Sequence, residues 1–128
     1  MRVLLDTHIA LWAVTDAPHL PSSARELIVD PSNEIWVSAA SVWEIAIKHA
    51  LDRKTMPISG KEAVHWFSVS GYRELSIASR HTAAVEELPN IHTDPFDRLL
   101  VAQAHTEPLR LLTHDKVVAQ YSELVILV

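Results

Sequence analysis

The chain has 128 residues and a mass of 14.3 kDa, with sixteen Asp and Glu against eleven Lys and Arg for a net charge of −5. That length fits one domain over residues 1–128, large enough to bury about two-thirds of its unfolded surface. A 48% hydrophobic composition with only two glycines excludes a disordered or low-complexity chain, and the lack of cysteine excludes a disulfide framework, a thiolate nucleophile and a Cys-based zinc site.

At the amino end, "RVLLD" is a short apolar run closed by Asp6, as a strand buried on both faces would read, and a first helix carrying Trp12 comes next. No stretch approaches the ~20 apolar residues of a membrane span, so a soluble, cytoplasmic protein without a membrane partner is expected. "LPSSARELIVD" has helix-start chemistry, and "EIWVS" is β-branched and aromatic like a strand. "SAASVWEIAIKHAL" then predicts a helix capped by its serines, with Val42, Ile45, Ala46 and His49 on one stripe.

Residues Asp52–Ser59 read as a loop. "GKEAVHWFSV" and "SRHTAAVEEL" predict two further helices with a weak strand, "RELSI", between them. Asp94 precedes Pro95, and proline favours the first helical position, so "FDRLLVAQAH" should begin a helix there. "LRLLTHD" repeats the opening pattern of an apolar strand running into an aspartate, "KVVAQY" is a short helix, and "VILV" is a last strand. Strands alternating with helices predict an α/β sandwich with a mainly parallel sheet, whose ligand crevice lies outside the carboxyl ends of the strands.

Asp6 and Asp115 end two such strands and should share that edge, while Glu44 and Asp97 lie early in helices aimed at it. Four carboxylates about 5 Å apart at an effective dielectric near 20 would repel by on the order of 3 kcal/mol per pair. They must share protons or bind cations. Oxygen ligands without cysteine favour a hard ion, Mg²⁺ or Mn²⁺, and the chemistry such a site supports most naturally is metal-assisted hydrolysis of a phosphodiester. Such an ion also answers the objection that an acidic chain suits nucleic acid poorly, because it changes the local charge a substrate meets.

Each acid also has a structural reading. Ser41 and Lys48 stand where a capping box and an i,i+4 pair would place them around Glu44. Asp94 fits an N-cap, Asp97 suits the helix dipole, and Asp115 could cap "KVVAQY". Asp6 has no evident structural task at this level. If all four acids served structure, the chain would be a non-catalytic α/β binding module.

The blocks "LLDTHIALW", "VSAASVWEIAIK", "DPFDRLLVAQA" and "LLTHD" together resemble PIN-domain proteins, more narrowly the VapC-type toxins of bacterial and archaeal toxin–antitoxin pairs, over nearly the whole chain. The resemblance implies an α/β/α sandwich with a parallel sheet of order 3-2-1-4-5. It further implies a Mg²⁺- or Mn²⁺-dependent endoribonuclease held inactive by its antitoxin. The family's four acids fall on Asp6, Glu44, Asp97 and Asp115, as catalytic residues and metal ligands. Asp94 is then chiefly the cap with an outer-shell option, and Thr7 and Thr113 resemble hydroxyl positions that orient carboxylates. A homodimer with the antitoxin across an acidic crevice, a basic side chain among the acids, is expected from charge complementarity.

Among eight histidines there is no HExxH pattern, so catalysis by histidine is not expected, although His8 and His114 stand beside acids of the cluster. Lys48, Arg53, Lys54, Arg98 and Lys116 are candidates for holding RNA phosphates. Trp36, Trp43 and Trp66 lie in apolar contexts and are expected in the core.

Overall fold

Val3, Leu4 and Leu5 are all fully buried, because their strand is central and covered on both faces. The computed structural model describes residues 1–128. Its elements are β1 (Arg2–Leu5), α1 (Thr7–Thr15), α2 (Ser22–Val29), β2 (Glu34–Ser38), α3 (Ala39–Leu51) and α4 (Gly60–Val69). The chain continues through β3 (Arg73–Leu75), α5 (Ser79–Ala84), α6 (Pro95–Thr106), β4 (Arg110–Thr113) and β5 (Val125–Leu127). The sheet has the order β3-β2-β1-β4-β5 and every pairing is parallel, as the resemblance implied.

Alternation along β1 divides the core. Val3 and Leu5 pack with Ile9 of α1, Ala24 of α2, Ile45 of α3 and Phe67 of α4. Leu4 points the other way, to Leu100, Val101 and Ala104 of α6. Each fully buried leucine or isoleucine contributes roughly 1.5–3 kcal/mol of transfer free energy. Gly60 lets α4 start against α3, because a Cβ there would come within 2.9 Å of the Ala46 Cβ.

Several local expectations shift. "SRHTAAVEEL" forms α5 and then a 3-10 turn at Val85–Glu87, because Pro89 keeps Leu88 extended (ψ 141°) and stops the helix. The β3 strand ends at Leu75, short of the Ile77 in "RELSI", and "KVVAQY" yields only the 3-10 turn Val118–Gln120. The tryptophans are corrected most. Trp43 and Trp66 are 56% and 44% exposed, since α3 buries Ser41, Glu44 and Ile45 and α4 buries Ala63 and Phe67, leaving the indoles outside. Trp36 is partly buried, with Arg2 and Arg73 over its ring.

Strand register sets the geometry of the carboxyl edge. Leu5 sits opposite both Val37 and Leu112, so Asp6, Ser38 and Thr113 leave the sheet side by side there. The Ser38 hydroxyl caps α3 at the Ala40 N–H and donates to Gln103 Oε1, tying α6 to that edge.

Candidate metal centre at the carboxyl edge of the sheet

Asp6 has the structural task the sequence did not reveal. It caps α1, Oδ1 accepting from the Ile9 N–H at 2.8 Å, while Oδ2 accepts from the Thr113 hydroxyl. Burial raises its pKa, against those two hydrogen bonds, with the charge of Glu44 adding to the rise. Thr113 serves a second acid as well, its oxygen accepting the backbone N–H of Asp115 at 3.0 Å. Thr7, by contrast, donates to Ser41 at 2.9 Å and ties α1 to α3.

Glu44 projects from the buried face of α3 and is only 3% exposed. The capping-box alternative fails, because Ser38 is the cap and Ser41 is engaged by Thr7. The i,i+4 alternative holds in part: Lys48 Nζ binds Glu44 Oε2, and Oε1 is buried with no partner. A buried carboxylate oxygen without a donor is costly unless something positive approaches it. Burial works to lower the Lys48 pKa, but the hydrogen bond and charge of Glu44, with Asp94 and Asp97 behind it, raise it.

Asp94 is the N-cap of α6, Oδ1 accepting from Phe96 N at 2.8 Å and Asp97 N at 3.3 Å, with Pro95 at the first helical position. One turn on, Asp97 is pushed up to about 7, first by burial and then by the charges of Asp94, Asp6 and Glu44, with His92 opposing. Asp97, Asp6 and Glu44 thus lie within one another's fields although they come from three distant parts of the chain. Asp115 is held below the ordinary carboxylate range despite its desolvation, because Val117 N and His92 donate to it.

His92 is the residue that sequence reasoning missed. Its Nε2 stands 3.2 Å from Asp97 Oδ2 and 3.3 Å from Asp115 Oδ2, and the three side chains offer ligand atoms within 4.8 Å of one another. The available signal was its place at the head of "HTDPFD", two residues before the cap.

A cavity of about 260 Å³ opens on Asp6 and Asp115 and is lined further by His8, Trp12 and His114. A larger one, about 400 Å³, lies at the opposite, amino edge of the sheet around Asp30–Ile35 and Ser70–Arg73 and touches none of the clustered acids. Of the basic candidates, Arg53, Lys54 and Lys116 are exposed. Lys48 is engaged by Glu44, and the Arg98 guanidinium donates to the carbonyls of Val85 and Pro89 and to the Tyr121 hydroxyl.

The donor set fits a hard divalent cation: four acids at one edge, one carrying a buried unpaired oxygen and another whose carboxyl is pushed up to about 7 by burial and its acidic neighbours. Asp6, Glu44, Asp97 and Asp115 are the residues that would hold it.

Comparison with known proteins identifies the family and the fold. The PIN-domain profile matches residues 3–124. The ribonuclease VapC22 of Mycobacterium tuberculosis (strain ATCC 25618 / H37Rv) is 30% identical over 117 residues, covering 89% of this chain and 87% of that protein. The fold is shared with VapBC2 from Rickettsia felis, solved bound to a promoter DNA fragment, at a TM-score of 0.70 and 18% identity over 100% of this chain and 98% of that one. It is shared too with FitAcB from Neisseria gonorrhoeae, at a TM-score of 0.66 and 16% identity over 98% and 96% of the two chains. With its profile match, its parallel 3-2-1-4-5 sheet and its acids gathered at the carboxyl edge, the chain belongs to the PIN-domain family and is of the VapC type.

Proposed function

We propose that this protein is a Mg²⁺- or Mn²⁺-dependent endoribonuclease and the toxin of a toxin–antitoxin pair, acting in the cytoplasm. The observation that carries the reading is the buried Glu44 Oε1, which lacks a protein partner in a carboxylate whose charge already acts on Asp97 and Asp6. Asp6, Glu44, Asp97 and Asp115 would hold a divalent ion, which would supply charge compensation and polarisation of the scissile phosphodiester. The protein's own part is positional. Thr113 fixes Asp6, the α6 cap fixes the start of the helix that bears Asp97, and Lys48 screens Glu44. The cavity beside Asp6 and Asp115 would receive a nucleotide, with Trp12 and the imidazoles of His8 and His114 as its walls.

Charge and exposed apolar surface point to the partner. Trp43, Ile47 and Leu51 form an exposed i, i+4, i+8 stripe on α3, the helix whose buried face carries Glu44. An antitoxin segment laid along that stripe brings a basic side chain within reach of the acids, as complementarity favours. VapC22 is a ribonuclease by name, and two of the solved relatives are VapBC2 and a toxin–antitoxin complex from Klebsiella pneumoniae, which supports the same assignment. A homodimer belongs to this reading, and light scattering of the free chain tests it.

The competing view, a binding module whose acids only cap helices and pair with cations, draws on Asp6 and Asp94 being caps and on the Glu44–Lys48 pair. Calorimetric titration with Mn²⁺ separates the two. The nuclease reading expects a saturable site and chelator-sensitive cleavage of RNA, both lost in Asp97→Asn. A chain that binds no Mn²⁺ and leaves RNA intact overturns it.

A further inference from the structure

His92 bridges two of the acids, and its second ring nitrogen decides how. The backbone N–H of Asp94 donates to Nδ1 at 3.1 Å, so Nδ1 presents a lone pair and the ring's proton is on Nε2. Nε2 is then a donor. It cannot at the same time offer a lone pair to a metal ion, even though its distances to Asp97 and Asp115 suit a shared cation. We infer that His92 is a positioning residue of the metal centre: an imidazole whose Nε2–H donates to Asp115 Oδ2 and stands against Asp97 Oδ2, so that it orients both carboxylates without itself ligating the ion.

The same backbone N–H links this bridge to the helix. Asp94 caps α6 with its side chain and orients His92 with its main chain, so the turn that starts the helix also fixes the imidazole that steadies Asp97. His92 N donates to the Tyr121 hydroxyl at 2.8 Å, which anchors the other side of the residue. Outer-shell donors of this kind change metal affinity by about 10- to 100-fold when removed. The inference rests on the metal-dependent nuclease reading, and its test distinguishes the two.

The full-length protein is studied by two-bond ¹H–¹⁵N correlation of the histidine rings, metal-free and with Mg²⁺, and by calorimetry and pulsed EPR with Mn²⁺. We expect His92 as the Nε2–H tautomer in both NMR samples and no nitrogen coupling from a His92 ring bound to Mn²⁺. His92→Ala should weaken Mn²⁺ binding about 10-fold or more, while His92→Gln, which restores an N–H near the Nε2 position, should recover most of it. A Nδ1–H tautomer in the Mg²⁺ sample, a Mn²⁺–nitrogen coupling that disappears in His92→Gln, or Mn²⁺ affinity unchanged or tighter in His92→Ala overturns the inference and leaves the nuclease reading standing. Failure of the wild type to bind Mn²⁺ overturns both. The NMR readout needs only the wild-type fold and the EPR comparison uses the glutamine variant, so a destabilised alanine variant does not block the decision.

Discussion

The hydroxyl of Thr113 donates to Asp6 Oδ2 from the far end of the sequence and accepts the N–H of Asp115, so one side chain orients two strand-end acids. Thr113→Val keeps the shape and the β-branching but leaves a buried carboxylate oxygen and a backbone N–H without partners. That should cost about 1–3 kcal/mol in urea unfolding and weaken Mn²⁺ binding, whereas Thr113→Ser should restore both. Valine and serine variants of equal stability and affinity would show that the bridge is idle.

Asp6→Asn should abolish RNA cleavage and leave the melting temperature in EDTA unchanged or raised. Asparagine still caps α1 and removes a charge whose burial already drives the carboxyl towards its protonated form. Full cleavage by the purified variant is the outcome that rejects Asp6 as a ligand.

The two aspartates of "DPFD" should separate. Asp97→Asn removes the charge a metal uses and should lose most activity, with metal-free stability at neutral pH unchanged or raised. Asp94→Asn should be mild, because asparagine caps well, and Asp94→Ala should cost about 1 kcal/mol. Melting curves and Mn²⁺-dependent cleavage on the three variants decide it, and equal loss of activity in Asp94→Asn and Asp97→Asn would put both carboxylates on the metal.

Stability should depend on pH through Asp97, whose carboxyl is raised from 3.8 to about 7. The folded protein then holds a proton that the unfolded chain releases between those values. Metal-free stability should therefore fall as pH rises through that window and level off above it. Asp6, also raised, acts in the same direction, while Asp115, lowered, contributes only in more acidic solution. Mn²⁺ affinity should rise over the same interval because the ion needs the ionised carboxylate. Thermal scans in EDTA from pH 5 to pH 8 check the sign, and Asp97→Asn should flatten the profile.

Local patterns in the sequence carried the elements, since each is written in nearest-neighbour chemistry. The apolar runs before Asp6 and Asp115 are β1 and β4, and Asp94 with Pro95 starts α6 where proline's fixed φ and a side-chain acceptor require it. The strand order came from the resemblance of the four motif blocks, because periodicity cannot say which strands are neighbours. The apolar contexts of Trp43 and Trp66 placed them inside, and that expectation failed because an apolar residue on a helix is buried only if its face meets the sheet.

What the sequence by itself determined is which acids exist and that Asp6 and Asp115 follow strands, Asp97 lies in the first turn of a helix and Glu44 stands within one, positions written in local strand and helix chemistry. Only the tertiary structure decided their relations. The parallel register that sets Leu5 against Val37 and Leu112 brings the chain ends together, so Asp6, Glu44 and Asp97 enter one field and the unpaired Glu44 oxygen becomes visible. His92 is the sharpest instance. Its place two residues before the α6 cap is a local cue to where it stands but not to what it does, because its role depends on contacts with Asp97 and with Asp115, 23 residues away, that exist only once α6 and β4 are packed side by side.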